Sequence, residues 1–150
     1  DEGLLEFTTR LIQFRLQPPV FRRRRWFQGR AIHGNEVKDI AWFTPAGDQM
    51  AEEDWETSYA KSLGIFLNGK SIPNPYPMGE PVEDDSFLLL INAHHGGLTF
   101  RLPAARWGAM WEPVIDTAGG WVDTGKQRVY PAATEIRVEA RAMILFSHVS

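Results

Sequence analysis

Two consecutive prolines, Pro18 and Pro19, divide this 150-residue sequence into parts with different hydrophobic periodicity. Proline lacks a backbone amide donor and disfavours helix in the residue before it, so a helix ends at this pair. Before the prolines, apolar residues recur at helical spacing. After them, short apolar runs and alternating patterns are separated by turns that contain Gly and Pro. The sequence therefore predicts one N-terminal α-helix followed by a mainly β domain.

The predicted helix covers residues 4–17 and is apolar on more than one side. At ~100° per residue, its apolar residues form one stripe and a lateral extension of that stripe. The stripe is Leu4, Phe7, Leu11 and Phe14, and the extension is Leu5, Ile12 and Leu16. Together they cover roughly 200°, wider than the ~100° stripe of a helix packed on one core. We therefore expect this helix to have two packing partners.

Short strands account for most of the remaining chain. The predicted strands are 38–43, 64–67, 87–91, 98–102, 107–115, 136–142 and 143–146, with one helical turn within 50–55. Asn68-Gly69 predicts a type I′ hairpin turn that leads into 70–72, because both of its residues tolerate positive φ. The apolar run 87–91 predicts a strand buried on both faces. Short strands without intervening helices favour an antiparallel sandwich or barrel.

Composition places the chain among ordinary folded domains. With 43% hydrophobic residues it is neither disordered nor collagen-like, and it can build a core. No apolar run approaches the ~18 residues of a membrane-spanning helix. The absence of cysteine excludes disulfides, thiolate metal sites and cysteine nucleophiles, and it fits a reducing compartment. The net charge of −3 argues against general nucleic-acid binding.

The start of the chain is informative in another way. It reads Asp1-Glu2-Gly3, without an initiator Met or the basic and apolar regions of a signal peptide. The helical pattern follows almost at once. We interpret the sequence as a piece of a longer protein.

Candidate catalytic and ligand-binding groups are sparse. Arg22–Arg25 is either a phosphate-binding patch or, as we favour, a linker whose arginines face solvent or pair with a neighbouring domain. His94-His95 has few partners for a metal site. The acidic clusters 52–54 and 83–85 would have to face each other to act as a glycosidase pair, so we favour helix capping and a polar loop, respectively. Since no other catalytic motif is present, we expect no catalytic residue, metal or cofactor.

Six tryptophans remain as candidate sugar-binding platforms. For Trp42 and Trp107, beside apolar strand residues, packing in the core is the favoured interpretation. For Trp55 and Trp121, in predicted loops, packing and sugar stacking are equally favoured. Our candidate glucan-contact residues are Trp42, Trp55 and Trp121.

Several segments, in order and spacing, resemble isoamylase-type glycogen debranching enzymes. The similar segments are 4–16, 19–27, 37–45 continuing to Asp54-Trp55, 62–64, 85–90 and 92–95. The resemblance covers nearly the whole chain and is densest in residues 4–95. It implies a parent enzyme of the α-amylase superfamily that hydrolyses α-1,6 branch linkages of glycogen-derived glucans with retention. The catalytic carboxylates of that family lie upstream of the final barrel helix, and none of their motifs occurs here.

The resemblance also implies a domain organisation. Residues 1–17 correspond to the terminal helix of a (β/α)8 barrel, 18–36 to a connector and 37–150 to the C-terminal domain. We therefore predict that this domain is an antiparallel β-sandwich of the Greek-key type, preceded by one α-helix. The expected partner is the enzyme's own catalytic barrel, with α-glucan as a further ligand and with no nucleic acid or membrane. The implied location is the cytoplasm.

The two-sided helix agrees with this organisation, since one side would face the barrel and the other the sandwich. In isolation, we expect Leu4, Leu11 and Phe14 to expose an apolar patch or to bury it by self-association. Two alternatives stay open, namely an autonomous α-glucan-binding module with Trp55 or Trp121 as its platform, and a hydrolase that uses the acidic clusters. Nucleic-acid binding through Arg22–Arg25 is the weakest alternative.

Overall fold

The computed structural model describes residues 1–30, 37–57, 61–70, 72, 79, 82–122 and 128–150. One long helix, α1, is followed by strands and two short helical turns, which confirms the mainly β class. The elements are α1 (Glu2–Leu16), a 3-10 turn η1 (Pro19–Arg22), β1 (Ile40–Phe43), α2 (Glu52–Trp55), β2 (Ser62–Leu67), β3 (Phe87–Asn92), β4 (Leu98–Arg101), β5 (Met110–Asp116), β6 (Gly120–Trp121), β7 (Tyr130–Pro131), β8 (Glu135–Val138) and β9 (Ala142–Val149).

Helix α1 begins two residues earlier than predicted, because the Asp1 side chain caps it. The Asp1 carboxylate accepts a hydrogen bond from the Leu4 amide at 3.3 Å. The helix ends at Leu16, directly before Gln17 and the two prolines. Its predicted termination by Pro18 and Pro19 is confirmed.

The strands form two antiparallel sheets. The larger sheet has the order β1-β2-β3-β9-β5-β6, with β7 paired to the other end of β5, and the smaller sheet pairs β4 with β8. The main core lies between them and contains large apolar side chains from both sheets: Phe43, Phe66, Leu88, Leu90, Phe100, Trp107, Trp111, Ile136, Val138 and Phe146. The predicted antiparallel sandwich with one preceding helix is confirmed.

Strand β3 explains why the larger sheet has two apolar faces. Leu88 and Leu90 point into the main core, whereas Phe87 and Leu89 belong to a second cluster on the outer face. That outer cluster also contains Phe14 of α1 and Trp121 of β6. The prediction of a strand buried on both faces is therefore confirmed, and α1 packs on the outer face.

The predicted type I′ hairpin at Asn68-Gly69 is wrong. Neither residue has positive φ, and Leu67 pairs with Ile40 and Phe87 instead of a strand directly after it. Gly69 is needed for a close approach, since a Cβ there would overlap the carbonyl oxygens of residues 84 and 85. Of the predicted partner segment 70–72, residue 71 lies outside the described residues.

Two predicted strand boundaries are also wrong. The alternating pattern 136–142 contains a turn, because β8 ends at Val138 and Arg141 adopts φ 51° before β9 begins at Ala142. The two strands belong to different sheets, so the chain must change direction there. Strand β5 begins at Met110 rather than at Trp107, which lies in a turn.

Candidate functional site

One edge of α1 is attached to the outer face of the larger sheet through aromatic contacts. The ring centroids of Phe14 lie 5.8 Å from Phe21, 6.0 Å from Phe87 and 5.6 Å from Trp121. Phe7, two helical turns earlier, lies 6.0 Å from Trp121. Residues spaced by seven share a helix face, so these two phenylalanines define the edge that packs on the sandwich.

The rest of the apolar surface of α1 has no cover within the chain as described. We name this set the helix apolar face. Its members, with their exposed fractions, are Leu4 (64%), Leu5 (69%), Leu11 (40%), Ile12 (56%) and Leu16 (54%). The predicted exposure of Leu4 and Leu11 is confirmed. The predicted exposure of Phe14 is wrong, because the Phe14 ring packs between Phe21 of η1 and Phe87 of the sheet.

Trp121, one of the candidate glucan-contact residues, lies in β6 rather than in a loop and is partly buried beneath α1. The Arg10 guanidinium carbon lies 4.9 Å from its ring centroid, and Phe7 and Phe14 contact the same ring. Its indole Nε1 is buried with no hydrogen-bond acceptor among the described residues. The position of this tryptophan explains its packing role, which the sequence left undecided.

The other two candidates, Trp42 and Trp55, form a pair at the edge of the larger sheet. Trp42 lies opposite Ile65 on the face of β1 that points away from the main core, and Trp55 ends the short helix α2. Their ring centroids are 5.2 Å apart with an interplanar angle of 76°. Trp42 is half-buried and Trp55 is 53% exposed. The pair thus presents an aromatic surface to solvent, as sugar-binding sites do.

The segment between β1 and α2 is held by local hydrogen bonds. The Met50 amide donates to the Trp42 carbonyl at 2.8 Å, and the Asp54 carboxylate accepts from the Ala51 amide at 2.7 Å. Capping by the first acidic cluster is therefore confirmed. In the second cluster, the Asp84 carboxylate accepts from the Val20 amide at 2.9 Å within a loop before β3.

His94 and His95 lie in the exposed turn between β3 and β4, with ring centroids 4.1 Å apart. The His94 Nδ1 accepts a hydrogen bond from the Gly96 amide at 3.1 Å. Among the described residues no group of three metal-ligating side chains comes together, and no helix is long and apolar enough to cross a membrane.

The arginine run is anchored by Asp39, which the sequence analysis did not single out. The Asp39 carboxylate accepts from the Gln28 and Gly29 amides at 2.8 and 2.9 Å, and the Arg23 Nη2 lies 3.4 Å from it. Both charged side chains are buried, with exposed fractions of 7% for Arg23 and 8% for Asp39. Two features of the sequence could have indicated this role of Asp39. The residue lies directly before the apolar residues 40–43 of a predicted strand, and it follows a run of four arginines.

His148, near the end of β9, is half-buried next to a cavity of about 290 Å³ that is lined by residues of the larger sheet and of the turn before β5. Burial lowers the pKa of His148, and the positive charge of Lys70 lowers that pKa further. The negative charge of Asp85 acts in the opposite direction. The imidazole lies against Trp111, with ring centroids 5.5 Å apart.

Comparison with known proteins identifies the domain. A family model described as "Isoamylase, C-terminal" matches residues 39–147. A glycogen operon protein GlgX homolog of Mycobacterium tuberculosis is 44% identical over 118 residues, which is 78% of this chain and 16% of that protein. The isoamylase of Pseudomonas amyloderamosa is 26% identical over 127 residues, or 85% of this chain and 14% of that protein. A glycogen debranching enzyme of Dickeya chrysanthemi is 27% identical over 107 residues, or 71% of this chain and 13% of that protein.

The chain therefore spans about one sixth of the length of the mycobacterial relatives it matches, and the family match begins at Asp39 and ends within β9. The matched region contains the whole sandwich apart from its last residues, while α1 and η1 precede it. This chain belongs to the isoamylase C-terminal domain family.

Proposed function

We propose that this chain is a non-catalytic C-terminal domain that supports the catalytic barrel of a glycogen debranching glycoside hydrolase, which cleaves α-1,6 branch linkages. The family match and the printed names of the relatives support the enzyme class. The domain division of the proposal assigns 1–17 to the last barrel helix, 18–36 to the connector and 37–150 to the sandwich. The names of relatives in glycogen metabolism also support a cytoplasmic location.

The observation that carries the supporting role is that α1 packs on the sandwich with one side and exposes a second apolar side. Phe7 and Phe14 attach the helix to the sheet, while the helix apolar face leaves five large side chains 40–69% exposed. Large contiguous exposed apolar patches are uncommon on stable monomers and mark interaction surfaces. The barrel is the partner that covers the helix apolar face. The relatives are much longer than the matched region, and α1 precedes the part of the chain that the family model matches.

A pair of double variants tests this role. Leu5→Ser with Ile12→Ser removes two side chains of the helix apolar face, and Glu6→Ser with Gln13→Ser makes two similar helix substitutions on the polar face. In a full-length enzyme that carries this domain, the first variant should lower the free energy of unfolding by roughly 3–5 kcal/mol more than the second, since burial of one such side chain contributes ~1.5–3 kcal/mol.

In the 150-residue chain alone, the two double variants should differ by less than about 1 kcal/mol, because these side chains are already exposed. Urea denaturation followed by circular dichroism measures both quantities. An equal effect of the apolar-face variant in both contexts would contradict barrel docking. Self-association of the isolated chain, measured by light scattering, should decrease with the same variant.

A second function, contact with α-glucan, is supported by the Trp42–Trp55 pair and its exposed ring. If the domain binds glucan, isothermal titration with maltoheptaose should give a dissociation constant of about 1 mM or tighter. Trp55→Ala should abolish the binding, whereas His95→Ala, which removes an exposed ring from the turn between β3 and β4, should leave it unchanged. Trp121 is the weaker candidate, since its ring already contacts α1.

The absence of heat at millimolar maltoheptaose would leave the supporting role alone. The hydrolase alternative has an equally direct test, because release of reducing ends from a branched limit dextrin by the isolated chain would contradict a non-catalytic domain.

A further inference from the structure

A cleft of about 400 Å³ lies where the segment after η1 crosses the edge of the outer apolar cluster. Phe21 and Phe27 contribute apolar walls, and Arg23, Arg24, Arg25 and Trp26 provide cationic and aromatic groups. We name this the arginine–tryptophan cleft. It is separate from the Trp42–Trp55 pair and shares no lining residue with the helix apolar face.

Arg23 is the buried cation of this cleft, and its hydrogen bonding is incomplete. The side chain is 7% exposed, its Nη2 lies 3.4 Å from Asp39, and its guanidinium carbon lies 4.0 Å from the Phe27 ring centroid. The Nε of Arg23 has no acceptor among the described residues. A buried donor without an acceptor costs free energy, and a small shift of the Arg23 side chain toward an anionic oxygen in the cleft would recover part of that cost.

The next two arginines add positive charge that the described part of the chain does not neutralise. The ion pairs found there involve Arg23, Arg101 and Arg137, and neither Arg24 nor Arg25 takes part in one. Both side chains belong to exposed residues. Counting only described residues, the cleft has two cations more than it has ion-paired anions, since Arg23 is the one arginine of the cleft that is paired there.

Two carboxylates near the cleft, Asp39 and Asp84, are already engaged in hydrogen bonds. Asp39 accepts three backbone amide hydrogen bonds besides its ion pair with Arg23, and Asp84 accepts the amide hydrogen of Val20 at 2.9 Å. These two acids thus hold the segment in place, and among the described residues neither forms an ion pair with Arg24 or Arg25. Arginine recognises phosphate well because its planar guanidinium offers several donors in a fixed geometry.

Trp26 supplies a flat surface beside these cations. Its side chain is 92% exposed, more than any other large hydrophobic residue in the described chain, so packing within the domain does not explain its presence. Indole rings stack on sugar rings and nucleobases. A phosphate group next to such a ring matches the combination of groups in this cleft.

We propose that the arginine–tryptophan cleft binds a phosphorylated ring compound, with the phosphate on Arg23, Arg24 and Arg25 and the ring on Trp26. Sugar phosphates and nucleotides share this chemistry. The residues of this cleft belong neither to the Trp42–Trp55 pair nor to the helix apolar face, so phosphate binding here does not depend on glucan binding or on barrel docking.

Isothermal titration of the 150-residue chain at low ionic strength tests the proposal with four probes, namely glucose 1-phosphate, AMP, inorganic phosphate and glucose. We expect a dissociation constant of roughly 0.1–1 mM for at least one of the two ring phosphates, and at least about tenfold weaker binding of inorganic phosphate and of glucose. The tighter of the two ring phosphates identifies the ligand class as sugar phosphate or nucleotide. Added salt should weaken the binding.

Variants assign the binding to the cleft. Arg24→Gln with Arg25→Gln should weaken ring-phosphate binding by at least about tenfold, and Trp26→Ala should reduce it to the affinity of inorganic phosphate. Arg15→Gln, which removes an exposed arginine from α1, is the matched control and should have no effect. These variants leave the buried Arg23 in place, so thermal unfolding should confirm that each is folded.

Three results would overturn the proposal. The first is the absence of saturable binding of either ring phosphate up to about 10 mM ligand. The second is unchanged affinity in the double-arginine variant or in Trp26→Ala. The third is an equal loss of affinity in Arg15→Gln, which would show a general charge effect.

Discussion

Removal of the Asp39 carboxylate should be among the most damaging single substitutions in the segment that joins α1 to the sandwich. Asp39→Ala leaves the amides of Gln28 and Gly29 without their acceptor and leaves the Arg23 guanidinium, which is 7% exposed, without its counter-ion. Breaking a buried ion pair by removing one partner costs about 3–5 kcal/mol. Because Gln28 is exposed and water can replace part of its bond, we expect about 3 kcal/mol.

Urea denaturation of the isolated chain measures this value. The matched control is Asp116→Ala, because the Asp116 carboxylate accepts one exposed amide hydrogen bond, from Ala118 at 2.9 Å, and should cost less than about 1 kcal/mol. The double variant Arg23→Met, Asp39→Ala should lose less than the sum of the two single variants, since the ion pair is counted twice in that sum.

Equal destabilisation by Asp39→Ala and Asp116→Ala would show that the buried ion pair and the amide hydrogen bonds of Asp39 contribute no special stability. A second refutation would be full additivity of the Arg23 and Asp39 substitutions, which would show that the two charges do not interact. Asp39→Asn should fall between the wild type and Asp39→Ala, since its amide oxygen retains one acceptor while the charge is lost.

Two further predictions concern backbone approach and protonation. Gly69→Ala should destabilise the chain by about 2 kcal/mol or more in the same urea assay, because the new Cβ would overlap the Asp85 carbonyl oxygen. The control Gly96→Ala meets only ordinary contacts and should cost less than about 1 kcal/mol. Equal destabilisation by the two variants would contradict the steric overlap. Burial lowers the folded-state pKa of His148, so as the pH falls through its ordinary value of about 6.5 the unfolded chain binds the proton first and stability should fall. His148→Gln should remove this part of the pH dependence measured by thermal unfolding, and an unchanged profile in this variant would contradict the assignment.

The fold class was predictable because the strongest local signals agree with the tertiary structure. The helix before Pro18, the doubly buried strand at 87–92 and the capped turn ending at Trp55 all follow from periodicity and turn residues. The errors have a common cause. The alternation through 136–142 and the Asn68-Gly69 pair are locally compatible with a strand and a hairpin, but the partner of each strand lies in a distant part of the chain.

The candidate site was less predictable, since the decisive contacts join residues that are far apart in sequence. The sequence left Trp121 balanced between packing and binding, and its place beneath α1 depends on Phe7 and Phe14, more than 100 positions earlier. The pairing of Arg23 with Asp39 also depends on how the connector crosses the sheet. The exposure of Leu4 and Leu11, in contrast, followed from the sequence, because the apolar residues of the helix cover a wide arc.

The physical logic of the domain follows from the two apolar faces of its larger sheet. The smaller sheet, β4 and β8, covers the inner face of the larger sheet, and the main core is buried between the two sheets. On the outer face, α1 and η1 cover Phe87 and Leu145, but Met143 of the same sheet stays 41% exposed. A helix that covers only part of a sheet and is itself apolar on its far side is a middle layer. We therefore expect a third layer to complete the packing, which is the position that the proposal assigns to the catalytic barrel.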